Sequence, residues 1–296
     1  MPRVSVCIPS YNAAPYIGET IRSVLEGTYA DVEVVVNDDA STDGTPQVVE
    51  AFDNDRVRLY CNPANLGVPE NWNRALSRAS GSLVGLLNHD DLYGPFWLTF
   101  AVHVLDKYPH IGWVATAFRI VDEQGDVVSA RTCFPDTGEV SRRDAFQRMV
   151  RLDGLGPYLA RREILEEVGY YDVDAGPSAD NDLFLRLASR YHLYYSANPH
   201  HAAWRRHHDN LSRRWSVVDQ CAEGLRMLNK AFSDPALPRE LRDHEASAYT
   251  YFYHKALQRA LGLLEKGDLE TVQRIIALLH SRGYGASGAL DHSGSP

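Results

Sequence analysis

From residue 3 to residue 118, short β-branched runs alternate with stretches that repeat apolar residues at helical spacing, and this alternation restricts the fold more than any other feature. Residues 4–8 read as a strand and 14–25 as a helix; the pair recurs at 32–36 with 45–52, 57–61 with 70–79 and 83–87 with 96–105, before a fifth strand at 112–117. Strands joined by crossing helices predict an α/β fold with a Rossmann-like, mostly parallel sheet. Such a sheet binds its ligand beyond the carboxyl ends of its strands, so loops 9–12, 37–44 and 88–95 are expected to cluster.

The rhythm changes after Phe118. Residues 119–121 and 127–130 flank Asp122-Glu123-Gln124-Gly125-Asp126 and predict a β-hairpin. Helices are predicted near 142–150, 162–168 and 180–190. From residue 216 the pattern is helical, with Tyr249, Phe252, Tyr253, Leu257, Ala260, Leu261 and Leu264 read as one apolar stripe, whose aromatic part from Tyr249 to Tyr253 is expected to be core against the main domain and whose exposed remainder is left for an acceptor or a membrane. The expected organisation is a domain over 1–215, a C-terminal helical extension over 216–282 and a tail over 283–296.

With 296 residues the chain is long enough for one large domain or two small ones. Its formal charge of −9 offers no general cationic field for phosphates, which excludes nucleic acid as the expected partner and makes any nucleotide site local. Cys7, Cys61, Cys133 and Cys221 lie dozens of residues apart, a spacing that favours buried free thiols over a zinc clip. The start lacks the regions of a signal peptide, and no apolar run approaches the ~20 residues of a membrane span, so a cytoplasmic protein with at most peripheral membrane contact is expected. Gly283-Tyr284-Gly285-Ala286-Ser287-Gly288 matches a dinucleotide fingerprint in letters only, because it follows a helix rather than a strand.

Chemistry-bearing residues gather at the predicted strand ends. Pro9-Ser10-Tyr11-Asn12 ends the first, and Asn37-Asp38-Asp39-Ala40-Ser41-Thr42-Asp43-Gly44-Thr45 the second. A carboxylate there can accept the ring N–H of a uracil-type base while Tyr11 offers a stacking face. One of Ser41, Thr42 and Asp43 is expected to cap the following helix, leaving Asp38 and Asp39 for function. The fourth strand ends in Asn88-His89-Asp90-Asp91. Adjacent carboxylates suit a hard divalent cation completed by substrate phosphates, although a cap at Asp91 explains the pair equally well.

These residues resemble the family 2 glycosyltransferases, inverting enzymes of the GT-A fold that use nucleotide diphosphate sugars, over about residues 3–215. The resemblance implies that Pro9, Tyr11 and Asp39 hold the nucleoside, with Asn65, Gly67 and Asn73 near base and ribose. The family's Asp-x-Asp motif falls on Asn88-His89-Asp90, so Asp90 matches the metal-binding carboxylate, for Mn²⁺ or Mg²⁺, and Asn88 stands where an Asp is usual and faces the ribose. Gly169-Tyr170-Tyr171-Asp172 and the segment from Ala179 match a second signature whose general base falls on Asp180; Asp182 is expected only to decorate the first helical turn. Trp204-Arg205-Arg206-His207-His208 and the residues to Arg214 place six basic or imidazole side chains within ten positions. That stretch resembles a family loop in which His207 ligates the metal and Arg205 and Arg213 meet the diphosphate; by chemistry alone His208 is an equal ligand. The implied partners are a nucleotide diphosphate sugar, with uridine favoured, and a glycan or lipid-linked acceptor. Two rival readings are a non-catalytic nucleotide-sugar or glycan-binding protein and a sugar-1-phosphate nucleotidyltransferase; the latter needs a Gly-rich basic phosphate loop, which residues 9–12 do not supply.

Overall fold

The computed structural model describes residues 1–151, 155–208, 210 and 215–281. Its main sheet has eight strands in the order β3 (Val57–Cys61), β2 (Val32–Asp38), β1 (Val4–Ser10), β4 (Leu83–Leu86), β10 (Tyr158–Arg161), β6 (Ile111–Thr116), β11 (His192–Ser196) and β9 (Gly138–Val140). The first four are mutually parallel, as expected. The fifth expected strand, β6, does not adjoin them: β10 is inserted antiparallel to both β4 and β6. Gly85 permits that insertion, since a Cβ there would lie 2.7 Å from the carbonyl oxygen of Tyr158.

Period-two alternation assigns the sheet's faces. Val4, Val6 and Ile8 of β1 pack with α1 (Ile17–Leu25) and α4 (Trp97–Lys107), whereas Cys7 faces the opposite cluster with α3 (Val68–Ser77), α5 (Arg142–Met149) and α7 (Ala179–Arg190). A second sheet, ordered β5 (Leu92–Tyr93), β12 (Ala202–Arg205), β7 (Phe118–Val121) and β8 (Val127–Arg131), contains the predicted hairpin. Gly125 turns it with φ +92°, while Asp122 Oδ1 accepts the N–H groups of Gln124 and Asp126.

The C-terminal helices α8 (Val217–Ser233), α9 (Arg239–Arg242), α10 (Glu245–Leu264) and α11 (Leu269–Ser281) bury their apolar residues in the cluster that covers one face of the main sheet. Phe232 of α8 meets Phe146 of α5 edge-on at 5.8 Å. The expected stripe on α10 is corrected. Ala248, Tyr249, Phe252, Ala256 and Ala260 form its buried face, but Leu257, Leu261 and Leu264 are exposed, because a helix rotates by about 100° between Ala256 and Leu257. Cys7, Cys133 and Cys221 are buried thiols outside any disulfide; Cys61 is exposed, contrary to expectation. Among the described residues no helix is long and apolar enough to cross a membrane. The Gly283–Gly288 match lies outside the described residues, as does the tail.

Candidate active site

Three strand ends and their loops converge at one edge. β1 and β2 pair in parallel as far as Ser10 opposite Asp38, and the Asp39 N–H extends the ladder to the Ser10 carbonyl at 2.8 Å. The loop after β2 then folds over the loop after β1. Asn12 donates its N–H to Ser41 Oγ and accepts from Thr42, while Asp43 accepts from Ala14 and Thr45. None of the three cap candidates caps α2 (Thr45–Glu50): its N-cap is Gly44, at φ 89° and with no side-chain cap, and Asp43, one residue earlier, accepts the Thr45 N–H at 3.0 Å instead. Two non-glycine residues, Asn12 at φ 47° and Ala40 at φ 60°, adopt left-handed backbone at this crossing, a strain of about 1–3 kcal/mol each that the bracing hydrogen bonds must offset.

Asp39 is buried, 2% exposed, and its carboxylate accepts from Asn62 Nδ2 at 2.7 Å, from Leu66 N at 3.0 and 3.1 Å, and from Gly67 N at 3.0 Å. Asn65 Oδ1 also accepts the Gly67 N–H. Gly67 has φ 85° and ψ 170°, a backbone state open to glycine alone, and that state lets the 65–67 loop present two amides to one carboxylate. Tyr11 stands 43% exposed beside this cluster, and the Pro9 carbonyl accepts from His89 Nδ1 at 3.2 Å. Asn73, expected near base and ribose, is committed elsewhere: its amide donates to the Tyr171 carbonyl at 2.8 Å and accepts the Tyr171 N–H at 2.9 Å. Both halves of that side chain brace the segment that leads to Asp180.

The second centre joins two sheets. β5 follows directly on Asp90 and Asp91 and pairs antiparallel with β12, Tyr93 opposite Ala202 and Leu92 opposite Ala203, so the continuing register brings Arg205 and His207 back to the two carboxylates. His207 Nε2 donates to Asp90 Oδ2 at 2.8 Å, and Asn210 Nδ2 donates to the same oxygen at 3.1 Å. Burial raises the pKa of the Asp90 carboxyl, but the His207 hydrogen bond and the charges of His89 and His207 outweigh it and hold the carboxyl below its ordinary value. Asp91 behaves oppositely, pushed well above its ordinary value by burial and by the Asp90 charge. It caps no helix, as had been an open reading; it accepts the Arg205 N–H at 3.1 Å and the Asn88 side-chain amide at 3.1 Å. His208, the alternative ligand, is exposed and turned to Glu123.

Arg205 departs from the expected diphosphate contact. Its guanidinium is 3% exposed and points inward, donating to Glu19 at 2.5 Å, to the Glu123 carbonyl at 3.0 Å and to the Asp90 carbonyl at 3.2 Å. Satisfying those acceptors braces the turn that carries Asp90. Tyr16 stacks on His207 at 4.6 Å and lies under the Arg205 guanidinium, which fixes the imidazole plane. Arg213 lies outside the described residues.

Asp180 lies in the first turn of α7, and its Oδ1 accepts the neighbouring Asn181 N–H at 2.7 Å. Burial lifts its carboxyl above the ordinary value, the direction a proton acceptor for a hydroxyl requires. Asp182 does more than decorate the turn: it is buried, 4% exposed, and pairs with Arg186 and with Lys230 of α8, each at 2.8 Å. Lys230 also reaches Asp172 at 2.8 Å.

Sequence reasoning missed Asn37, Asn62 and Asn71, a buried amide cluster beneath Asp39, and the α1 pair Tyr16 and Glu19. Asn37 and Asn62 sit at the ends of β2 and β3, where buried polar residues are worth questioning; nothing in their spacing pointed to Tyr16 or Glu19.

The mostly parallel sheet, with Tyr11, Asp39 and Asp90 on the loops at its carboxyl edge, has the GT-A fold. The family model for glycosyl transferase family 2 matches residues 5–169, and the chain belongs to that family. It is 35% identical over 127 residues to EpsE of Bacillus subtilis (42% of this chain, 46% of EpsE). It is 33% identical over 138 residues to the chondroitin synthase of Pasteurella multocida (46% of this chain, 14% of the synthase). These matches span less than half of either relative. Among solved structures, S. aureus TarS 1-349 in complex with UDP-GlcNAc superposes with a TM-score of 0.77 at 22% identity, over 94% of this chain and 79% of that one. The mannosyltransferase PcManGT from Pyrobaculum calidifontis, in complex with GDP-Man and Mn²⁺, gives 0.63 at 23% identity, over 95% and 76%. At such identities the likeness is one of fold.

Among the described residues no three His, Cys, Asp or Glu side chains form a cation site by themselves. Asp90 and His207 nevertheless place one carboxylate and one imidazole within 2.8 Å of each other; both would ligate a divalent cation once the Nε2 proton between them leaves, with substrate oxygens supplying the remaining ligands.

Proposed function

We propose that the chain is an inverting transferase that moves a sugar from a uridine diphosphate sugar to a hydroxyl of a glycan or lipid-linked acceptor. The observation that carries this reading is the Asp90–His207 pair, held at 2.8 Å by the antiparallel register of β5 and β12 within the second sheet, on the same edge as Asp39. In it Tyr11 stacks on the base, Asp39 accepts a base N–H, Pro9, Asn65 and Gly67 shape the nucleoside wall, and Asn88 meets the ribose. Asp90 and His207 would hold a divalent cation, Mn²⁺ or Mg²⁺, which when bound would neutralise charge developing on the diphosphate leaving group. Arg213, outside the described residues, is assigned to that group by the family loop it resembles, while Arg205 positions Asp90 from behind.

Asp180 is the general base. The acceptor oxygen forms a bond to the anomeric carbon from the face opposite the diphosphate, the bond to the diphosphate oxygen breaks, and the hydroxyl proton passes to the Asp180 carboxylate. An elevated pKa from burial strengthens that carboxylate as a base. No covalent enzyme intermediate is needed. The test is release of UDP from a panel of UDP-sugars supplied with candidate glycan acceptors. Turnover that Asp180→Asn abolishes without changing UDP affinity is the expected result; turnover insensitive to that substitution would remove Asp180 from the chemistry.

A further inference from the structure

Beneath Asp39 three buried asparagine side chains close a ring. Asn37 Nδ2 donates to Asn71 Oδ1 at 2.7 Å and to Asn62 Oδ1 at 3.2 Å, and Asn62 Nδ2 donates to Asn71 Oδ1 at 3.2 Å. They are 0%, 7% and 4% exposed and come from the end of β2, the residue after β3 and the first turns of α3. The ring has two exits. Asn62 donates its other N–H to Asp39 Oδ1 at 2.7 Å, and Asn71 donates to the Ser10 carbonyl at 3.3 Å, which also takes the Asp39 N–H. Every polar hydrogen of Asn62 is used and its oxygen is occupied, so its amide cannot flip without breaking three hydrogen bonds.

We propose that Asn62, locked by Asn37 and Asn71, is the positioning residue that aims Asp39 at a single ring N–H and so selects a uracil or thymine base over guanine; this rests on the reading of Asp39 as the base-holding carboxylate. The reason is a count of lone pairs. Three N–H groups, from Asn62, Leu66 and Gly67, already point at the Asp39 carboxylate, and an ionised carboxylate has about four acceptor directions. One remains. Uracil and thymine present one ring N–H between two carbonyls and need one acceptor, whereas guanine presents a ring N–H beside an amino group and needs two in parallel. An amide is the suitable support, because it fixes the carboxylate by donating a proton without adding a charge that competes with the ligand.

The experiment is calorimetric binding of UDP, N3-methyl-UDP and GDP, with Mn²⁺, to the wild-type chain and to Asn62→Ala and Asn37→Ser. In the wild type, UDP is expected to bind at least about tenfold more tightly than either competitor, the scale of one hydrogen bond to a charged group. Asn62→Ala is expected to reduce that ratio to about twofold or less, with Asn37→Ser in between, while Mn²⁺ still strengthens binding to both. Uniformly weaker binding with the ratio intact would reduce the asparagines to a structural role and overturn the inference. If Asn62→Ala does not fold, Asn37→Ser decides, since its ratio either falls or stays at the wild-type value. A wild type that does not separate UDP from N3-methyl-UDP would instead overturn the base-holding role of Asp39, and the inference with it.

Discussion

His207 Nε2 donates to Asp90 Oδ2 at 2.8 Å although 117 positions separate the two residues in the chain. The pair exists because β12 returns antiparallel to β5, and because Tyr16 and Arg205 hold the imidazole and the Asp90 turn from either side. His207→Ala removes one of the two proposed cation ligands and leaves the nucleoside wall in place. Calorimetry with UDP is expected to show the wild-type Kd in EDTA and a Kd at least about tenfold weaker than wild type in Mn²⁺, the range seen when cation-site residues are lost. An undiminished gain from Mn²⁺ would exclude His207 from the site.

Asp180 yields a prediction on rate, stability and pH. Loss of a general base typically costs about 10²–10⁴ in rate, so kcat of Asp180→Asn is expected to fall by that factor with KM for the donor preserved. Burial raises the folded-state pKa of this carboxyl, so its contribution to stability is full below the unfolded value and is lost as pH rises through the folded one. At neutral pH the wild type therefore carries a cost that the amide lacks, and Asp180→Asn should melt at the same or a higher temperature. The wild-type rate should decline as pH falls through the raised value, because a protonated Asp180 accepts no proton. A lower Tm with normal kcat would contradict both parts.

Asn73 separates two roles cleanly. Its two hydrogen bonds to the Tyr171 backbone make Asn73→Ala expected to cost about 1–3 kcal/mol in stability, with UDP affinity within about twofold of wild type. Urea unfolding and calorimetry on the same preparation check it. A tenfold loss of UDP affinity at unchanged stability would return Asn73 to the nucleotide.

Lys230 ties α8 to the segment bearing Asp180 through Asp172 and Asp182. Lys230 is 43% exposed, but Asp182 is only 5% exposed on its side chain, so the pair falls between surface and buried cases and Lys230→Met should cost about 1–2 kcal/mol. Burial raises the Asp172 pKa, yet the Lys230 and Asp174 N–H hydrogen bonds and the charges of Lys230 and Arg226 hold it below its ordinary value. The stabilisation is therefore present above the unfolded pKa and lost as pH falls through the folded one. The gap in Tm between wild type and Lys230→Met should narrow below the ordinary carboxylate range; a gap constant with pH would place the effect in packing.

Much of this was legible in sequence because it is local. Period-two runs fixed β1, β2, β3 and β4, and the polar clusters after Ile8, Val36 and Leu87 marked the edge where Asp39 and Asp90 lie. What was not legible depends on pairing between distant segments. No local pattern shows that β10 enters between β4 and β6, or that the antiparallel β5–β12 register turns Arg205 inward to Glu19 and brings His207 to Asp90. Asn73 misled for a similar reason: its place in the helix after the Asn-x-Gly loop matches the family pattern, and only the fold reveals the Tyr171 backbone within its reach.

The most direct measurement is calorimetric titration of UDP, dTDP and GDP into the wild-type chain and into Asp39→Ala and Asp90→Ala, each with Mn²⁺ and with EDTA. Binding of UDP that Mn²⁺ strengthens, that Asp90→Ala makes insensitive to Mn²⁺ and that Asp39→Ala weakens in both conditions is the expected result. No binding of any nucleotide under either condition would contradict the assignment of this edge as a nucleotide-sugar site.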